Sequence, residues 1–354
     1  MLEKADTRRG ATSFSFLMNR EDPPCQDSAE QVTMKSTPTH PTRATRSPLP
    51  STHPFPPLAQ YHRMPDVLLI GAAKSATTLL TRWIAQHPSI GLCTMREPNF
   101  FSHPESWVRG LDWYSELFRQ VRPGQLALDS STGYTQWPQF PLAAPRIGHY
   151  TPNAKLIYLM RHPVERAYSH YVHRWTKECH VGEPFRMTFD EYVVEDPLCL
   201  DGSDYRAQIE QYLERFPREQ LLCLFTFQLE RDPLAVLQRI CRFLEIDDDP
   251  APFQDPPREA NRSQEFLESR VRIEVTDRVK RLPGVTSWLP LVPRPIREAG
   301  YQLLRRSRLG RATAQKFDAP PLSSEARQRL LERYAPSNAW VAELTGEDLS
   351  CWDA

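Results

Sequence analysis

Residues 66–80, DVLLIGAAKSATTLL, govern how the rest of the chain is read. Asp66 to Ile70 is a short aliphatic run bounded by Pro65 and Gly71, the pattern of a strand buried in a parallel sheet. A turn follows at once. Its small residues, Gly71, Ala72, Ala73, Ser75 and Ala76, let backbone N–H groups close around an anion. The unpaired amides of the first helical turn and the helix dipole favour negative charge at the same place. Lys74 adds a full positive charge, and Thr77 and Thr78 add hydroxyl donors. The segment predicts a strand, turn and helix start that hold a phosphate. It is not a Walker loop, which needs four residues between its glycines and then Gly-Lys-Ser/Thr, because Lys74 comes three residues after Gly71. A solvated lysine in an ordinary α/β turn gives the same local pattern, so this segment alone leaves the function open.

A second segment narrows it. Residues 155–160, KLIYLM, form another buried-strand pattern, and Arg161 stands at its carboxyl end, the edge at which open α/β sheets bind ligands. Pro163 suits the first turn of a helix. In that helix Val164, Tyr168, Tyr171 and Trp175 recur as an apolar stripe, with Ser169 at its edge about two turns beyond Arg161. The planar fork of arginine suits paired phosphate oxygens. Further strands are expected at 90–93, 126–129 and 221–225, and helices at 77–86, 139–150, 163–177, 204–216, 233–244 and 323–334. That alternation predicts the α/β class, a central parallel sheet flanked by helices.

The run Arg161-His-Pro-Val-Glu-Arg166-Ala-Tyr-Ser169-His-Tyr171 closely resembles the motif RxPxxRxxSxY of sulfotransferases that use PAPS, 3′-phosphoadenosine 5′-phosphosulfate. The loop at 71–78 resembles the phosphosulfate loop of the same family. Arg96-Glu97-Pro98-Asn99-Phe100-Phe101 is similar to the K/R-E-P-x-F-F segment of its carbohydrate group, which includes the heparan sulfate glucosaminyl enzymes. The likeness continues at 110–114, 128–134, 205–232 and 334–352. The resemblance implies a P-loop NTPase-like fold, PAPS as donor with PAP as product, no metal, and a hydroxyl or amine acceptor on a glycan or small molecule. It further implies that Gly71, Ala72, Ala73, Lys74, Ser75, Ala76, Thr77 and Thr78 hold the 5′-phosphosulfate and that Arg161 and Ser169 hold the 3′-phosphate. Glu97 is then the general base and Lys74 the stabiliser of the departing phosphate, with Arg96, Asp129 and Ser130 as candidate substrate contacts. His103 and Asp129 are reserve bases.

Two positions depart from the family pattern. Ala76 stands where the loop usually has glycine, a change that a negative φ accommodates. Ser130 stands where the heparan sulfate 3-O-enzymes have a substrate-contacting lysine, which weakens any inference of the same polysaccharide specificity. The competing readings are a non-catalytic PAP-binding protein and a kinase using ATP and Mg²⁺; the loop spacing argues against the second.

Composition sets the remaining bounds. The chain has 354 residues, 40% hydrophobic and 25% charged, enough for one large α/β domain with a substantial core. Its 44 basic and 44 acidic residues balance, so bulk charge gives no reason to expect nucleic acid. Residues 1–64 are rich in Pro, Ser and Thr without a repeating apolar face; they are expected to be disordered, leaving 65–354 as the domain and Met64 as a candidate start. The apolar cluster from Phe14 to Met18 is too short for a signal-peptide core or a membrane span. Seven dispersed cysteines lack metal-ligand spacing and point to reduced thiols in the cytoplasm. His170 and His173 lack the further ligands of a metal site. A basic run from Arg294 to Lys316 is either a solvated helix face or an anion contact.

Overall fold

The computed structural model describes residues 62–181, 187–253 and 319–353, together with 55, 57–59 and 293. The basic run at 294–316 and most of the segment expected to be disordered lie outside the described residues. The strands are β1 Val67–Gly71, β2 Ile90–Leu92, β3 Leu126–Ser130, β4 Lys155–Met160 and β5 Leu221–Phe225. They pair in the order β2-β3-β1-β4-β5, every pair parallel, as the alternating sequence pattern predicts. The described helices are α1 Thr77–Ile84, α2 Pro104–Trp107, α3 Gly110–Glu116, α4 Ala143–Tyr150, α5 Pro163–Val181, α6 Phe189–Glu195, α7 Leu198–Asp201, α8 Tyr205–Leu213, α9 Thr226–Arg231, α10 Pro233–Leu244 and α11 Ser324–Thr345.

Both faces of the sheet are covered, which is why β1, β4 and β5 read as continuous apolar runs. Leu68, Ile70, Leu156 and Tyr158 pack into one core layer with the aromatic residues Phe100, Phe101 and Tyr114. Val67, Leu69, Ile157 and Leu159 face the other way, against Leu80 and Ile84 of α1 and Leu237 and Ile240 of α10. A third cluster joins α5, α6, α7 and α11 through Tyr171, Phe189, Cys199 and Leu330. The chain leaves β1 towards β2 on one side of the sheet, whereas from β3 it crosses β1 to reach β4. This reversal puts a crevice at the carboxyl edge beside β1, where open α/β sheets hold ligands.

One expectation is corrected: the last helix does not stop near 334 but runs to Thr345 with Pro336 inside it. An internal proline costs about 3 kcal/mol, offset here by burial of Leu330, Tyr334 and Val341 and by the Arg206 N–H donated to Ser337 Oγ at 2.9 Å. Ahead of the expected boundary, the Phe55 ring packs 4.9 Å from His149 and 5.9 Å from Tyr150. Among the described residues no helix is long and apolar enough to cross a membrane.

Candidate active site

The turn after β1 is shaped by backbone constraints. Gly71 has φ +150°, and a Cβ there would fall 2.1 Å from Thr135 Oγ1, whose hydroxyl donates to the Ile70 carbonyl at 2.9 Å. Only glycine fits. Lys74 at φ 73° and Ala76 at φ 59° are left-handed, so the condition under which alanine replaces glycine without strain is not met. The Cβ in that conformation costs about 1–2 kcal/mol, and Ala76→Gly is expected to raise stability by up to about 1 kcal/mol after the greater entropy of the unfolded glycine is subtracted. Urea denaturation measures it, and a lower midpoint would contradict the left-handed assignment. No side chain caps α1 and its first turn carries no acid. The Leu79 and Leu80 N–H groups donate to the Ala76 carbonyl, so the amides of Thr77 and Thr78 are the ones left for an anion.

Positive charge gathers behind this turn. Burial holds the Lys74 ammonium below its ordinary value, Arg161 and Arg166 push in the same direction, and Glu97 pulls against them. Arg161 follows β4 directly. Its side chain lies 4.0 Å from Glu165 Oε2, and Arg327 of α11 engages Glu165 from the other side. Arg166 is buried and donates to Ser203 Oγ and the Cys199 carbonyl, with no carboxylate paired to it among the described residues. Ser169, half-buried, lies one turn further along α5. A cluster of cations offset by Glu165, which Arg327 also shares, and by one further carboxylate favours a bound anion.

That carboxylate is Glu97. It sits at φ 49° in a segment docked on the 3₁₀ turn Thr132–Thr135 that follows β3. Thr132 Oγ1 donates to Glu97 Oε2 at 3.0 Å, the Gly133 N–H donates to Asn99 Oδ1 at 3.0 Å, and the Asn99 N–H donates to Ser131 Oγ at 3.0 Å. A Cβ on Gly133 would come within 2.7 Å of Asn99 Oδ1 and His103 Cε1, so this glycine is what allows the two segments to close. The Glu97 side chain keeps 33% of its surface exposed. Arg96 donates to Thr78 Oγ1 at 2.7 Å and lies 3.8 Å from Glu97 Oε1, which places it between the anion loop and the carboxylate. Ser130 Oγ and Thr81 Oγ1 are 2.8 Å apart, tying β3 to α1.

Asp129, a candidate substrate contact and reserve base in the sequence, has a wholly buried side chain. Oδ2 accepts from Tyr114 and Tyr134, each at 2.6 Å, and Oδ1 accepts from Ser131 at 2.7 Å. Burial pushes its carboxyl up while the three hydroxyls pull it down. His103, the other reserve, lies 2.9 Å from Ser102 Oγ and rests on Phe140 with ring centroids 4.4 Å apart. Burial lowers its pKa, against Glu105 and Glu97, which raise it. Sequence reasoning did not single out Thr132, which holds Glu97, or Arg166, which bears on Lys74. Both lie in the quoted stretches, but the partner of a hydroxyl or a buried guanidinium is set by tertiary packing.

The family described as "Sulfotransferase domain" matches residues 64–255. The chain belongs to this family. The sulfotransferase domain is 31% identical over 204 residues to the human "Bifunctional heparan sulfate N-deacetylase/N-sulfotransferase 3", covering 52% of this chain and 22% of that protein. It is 28% identical over 186 residues to the mouse "Heparan sulfate glucosamine 3-O-sulfotransferase 3B1", covering 51% and 46%. The chain thus spans less than half the length of these relatives. Among solved structures, the sulfotransferase from Alicyclobacillus acidocaldarius superposes with a TM-score of 0.57 at 24% identity, covering 82% of this chain and 100% of that one. That likeness establishes the P-loop-like sulfotransferase fold.

Proposed function

We propose that the chain moves a sulfuryl group from PAPS to a hydroxyl or amine of a carbohydrate acceptor, with Glu97 as general base. The observation that carries this reading is the grouping of Lys74, Arg161 and Arg166 about the crevice, with the partly exposed Glu97 beside them. The residues suit a nucleotide with two separate phosphate groups. Arg161 and Ser169 are assigned to the 3′-phosphate; Lys74, Thr77, Thr78 and the loop of residues 71–76 are assigned to the 5′ side. When bound, PAPS supplies a neutral SO₃ unit that breaks from a 5′-phosphate oxygen as it bonds to the acceptor atom. Lys74 and the α1 amides stabilise the charge left on that phosphate, and losing one such preorganised donor costs about 3–4 kcal/mol, or ~10²–10³ in rate. The acceptor proton passes to Glu97. Thr132 holds Oε2 in place, which leaves Oε1 to take the proton. The carbohydrate acceptor rests on the heparan sulfate enzymes among the relatives. A cytoplasmic setting is part of the proposal, supported by the free thiols of Cys93, Cys199, Cys223, Cys241 and Cys351.

Calorimetric titration of the full chain with PAP, and in parallel with ATP plus Mg²⁺, tests the reading. PAP binding that Arg161→Ala abolishes is the expected result; ATP binding without PAP binding returns the loop to a kinase. The pH dependence follows from Lys74. Because its ammonium is held below the ordinary 10.5, it loses its proton earlier than a solvated lysine as pH rises. A bound phosphate favours the protonated form, so binding takes up protons and PAP affinity falls on the alkaline side, at lower pH than a solvated lysine would give. Lys74→Arg removes that fall. The absence of any alkaline fall in wild-type affinity would count against Lys74 as a phosphate ligand.

A further inference from the structure

Arg96 connects the anion loop to the carboxylate. Its Nη2 donates to Thr78 Oγ1 at 2.7 Å and lies 3.8 Å from Glu97 Oε1. The first contact is a hydrogen bond and the second is too long to be one, so Thr78, rather than the neighbouring carboxylate, accepts from the guanidinium. Thr78 stands in the first turn of α1, where its amide and that of Thr77 are left for an anion. A hydroxyl that accepts from Arg96 keeps its own hydrogen to donate, and among the described residues that hydrogen has no acceptor. At the other end Thr132 holds Glu97 Oε2, so Oε1, the oxygen beside Arg96, is the one left to take a proton. The Arg96 side chain keeps 44% of its surface exposed, within reach of a ligand.

We infer that Arg96 is a catalytic residue that binds the sulfuryl group itself and lets the site tell PAPS from PAP. The inference rests on the PAPS reading. In an in-line transfer the moving group lies between the oxygen it leaves and the atom it joins. The amides of Thr77 and Thr78 mark the first end of that line and Glu97 Oε1 marks the second; Arg96 reaches both. Its planar fork suits a pair of sulfuryl oxygens. Arg96 holds those oxygens while the bond from sulfur to the 5′-phosphate oxygen breaks, its electron pair staying on the phosphate, and a lone pair of the acceptor atom forms the new bond to sulfur. Glu97 Oε1 receives the acceptor proton. Lys74 and the loop of residues 71–76, by contrast, are assigned to the 5′-phosphate, which PAPS and PAP have in common.

The experiment titrates the full chain calorimetrically, without acceptor, with PAPS and with PAP, comparing wild type, Arg96→Met and Arg96→Lys. Methionine keeps an unbranched apolar stem and removes every donor. Arg96→Met is expected to lose about ten-fold or more in PAPS affinity and less than about three-fold in PAP affinity, because only PAPS carries the group that Arg96 holds. Arg96→Lys retains the charge without the fork and is expected to show a smaller loss, again confined to PAPS, which keeps the test decisive should Arg96→Met not fold. Unchanged PAPS affinity, or an equal loss for PAPS and PAP, would overturn the inference, the latter by reducing Arg96 to a support of Thr78 at the shared phosphate. A wild-type chain that binds neither ligand would overturn the PAPS reading itself, and with it the role of Arg96, and is recognised before any variant is compared.

Discussion

Glu97→Gln is expected to lower kcat by about 10² to 10⁴, the usual contribution of a positioned general base, while PAP binding persists. Glutamine has the same shape and its amide oxygen can still accept from Thr132, whose hydroxyl lies 3.0 Å from Oε2 in the wild type. What is lost is the ability to take a proton. Removing a negative charge beside Lys74 also leaves the cluster with Arg161 and Arg166 more positive, so affinity for the anionic nucleotide is expected to hold or rise. The signature is a fall in kcat and kcat/KM together, without a rise in the KM for PAPS, as expected for a group that acts in the transition state. Steady-state kinetics with any acceptor the wild type sulfates, alongside PAP titration, provides the readout. A loss of less than about ten-fold would move the base elsewhere, first to His103, which adjoins the same turn through Gly133.

The sheet was legible because burial on two faces writes strands as unbroken apolar runs; VLLIG and KLIYLM needed no tertiary information. The long helices were legible from their stripes and from punctuation such as Pro163 and Asp232-Pro233, where the Asp232 side chain caps α10 by accepting from the Ala235 N–H. The short helices α2, α3, α6, α7 and α9 were not predicted, since elements of four to seven residues present too few turns for a periodic pattern. In the site, motif order pointed to Lys74, Arg161 and Glu97 as candidates, but conformation escaped it. The sign of φ at Ala76 is decided by how the loop meets α1. The direction in which Asp129 points is decided by two tyrosines, one on α3 and one in the turn after β3. A carboxylate at a strand end reads the same whether it faces solvent or the core, so strand position alone could not separate a catalytic acid from a buried anchor.

Asp129→Ala is the variant expected to damage stability most, by about 3–5 kcal/mol, because it leaves buried polar partners without their acceptor. Tyr114 and Tyr134 both direct their hydroxyls at Oδ2 and are themselves wholly enclosed. Water cannot easily replace the lost carboxylate there. Asp129→Asn keeps an oxygen for the tyrosines but turns an amide towards Ser131, and is expected to cost less. The effect should reach the base indirectly. Ser131 donates to Asp129 and accepts from the Asn99 N–H, so the carboxylate orients the hydroxyl that holds the segment carrying Glu97. Denaturant unfolding should therefore show the large change, and kcat of the folded Asp129→Asn variant should fall by less than that of Glu97→Gln. The opposite pattern, a loss above about 10² in kcat with stability intact, would mean that Asp129 takes part in proton transfer after all and that its enclosure opens during turnover.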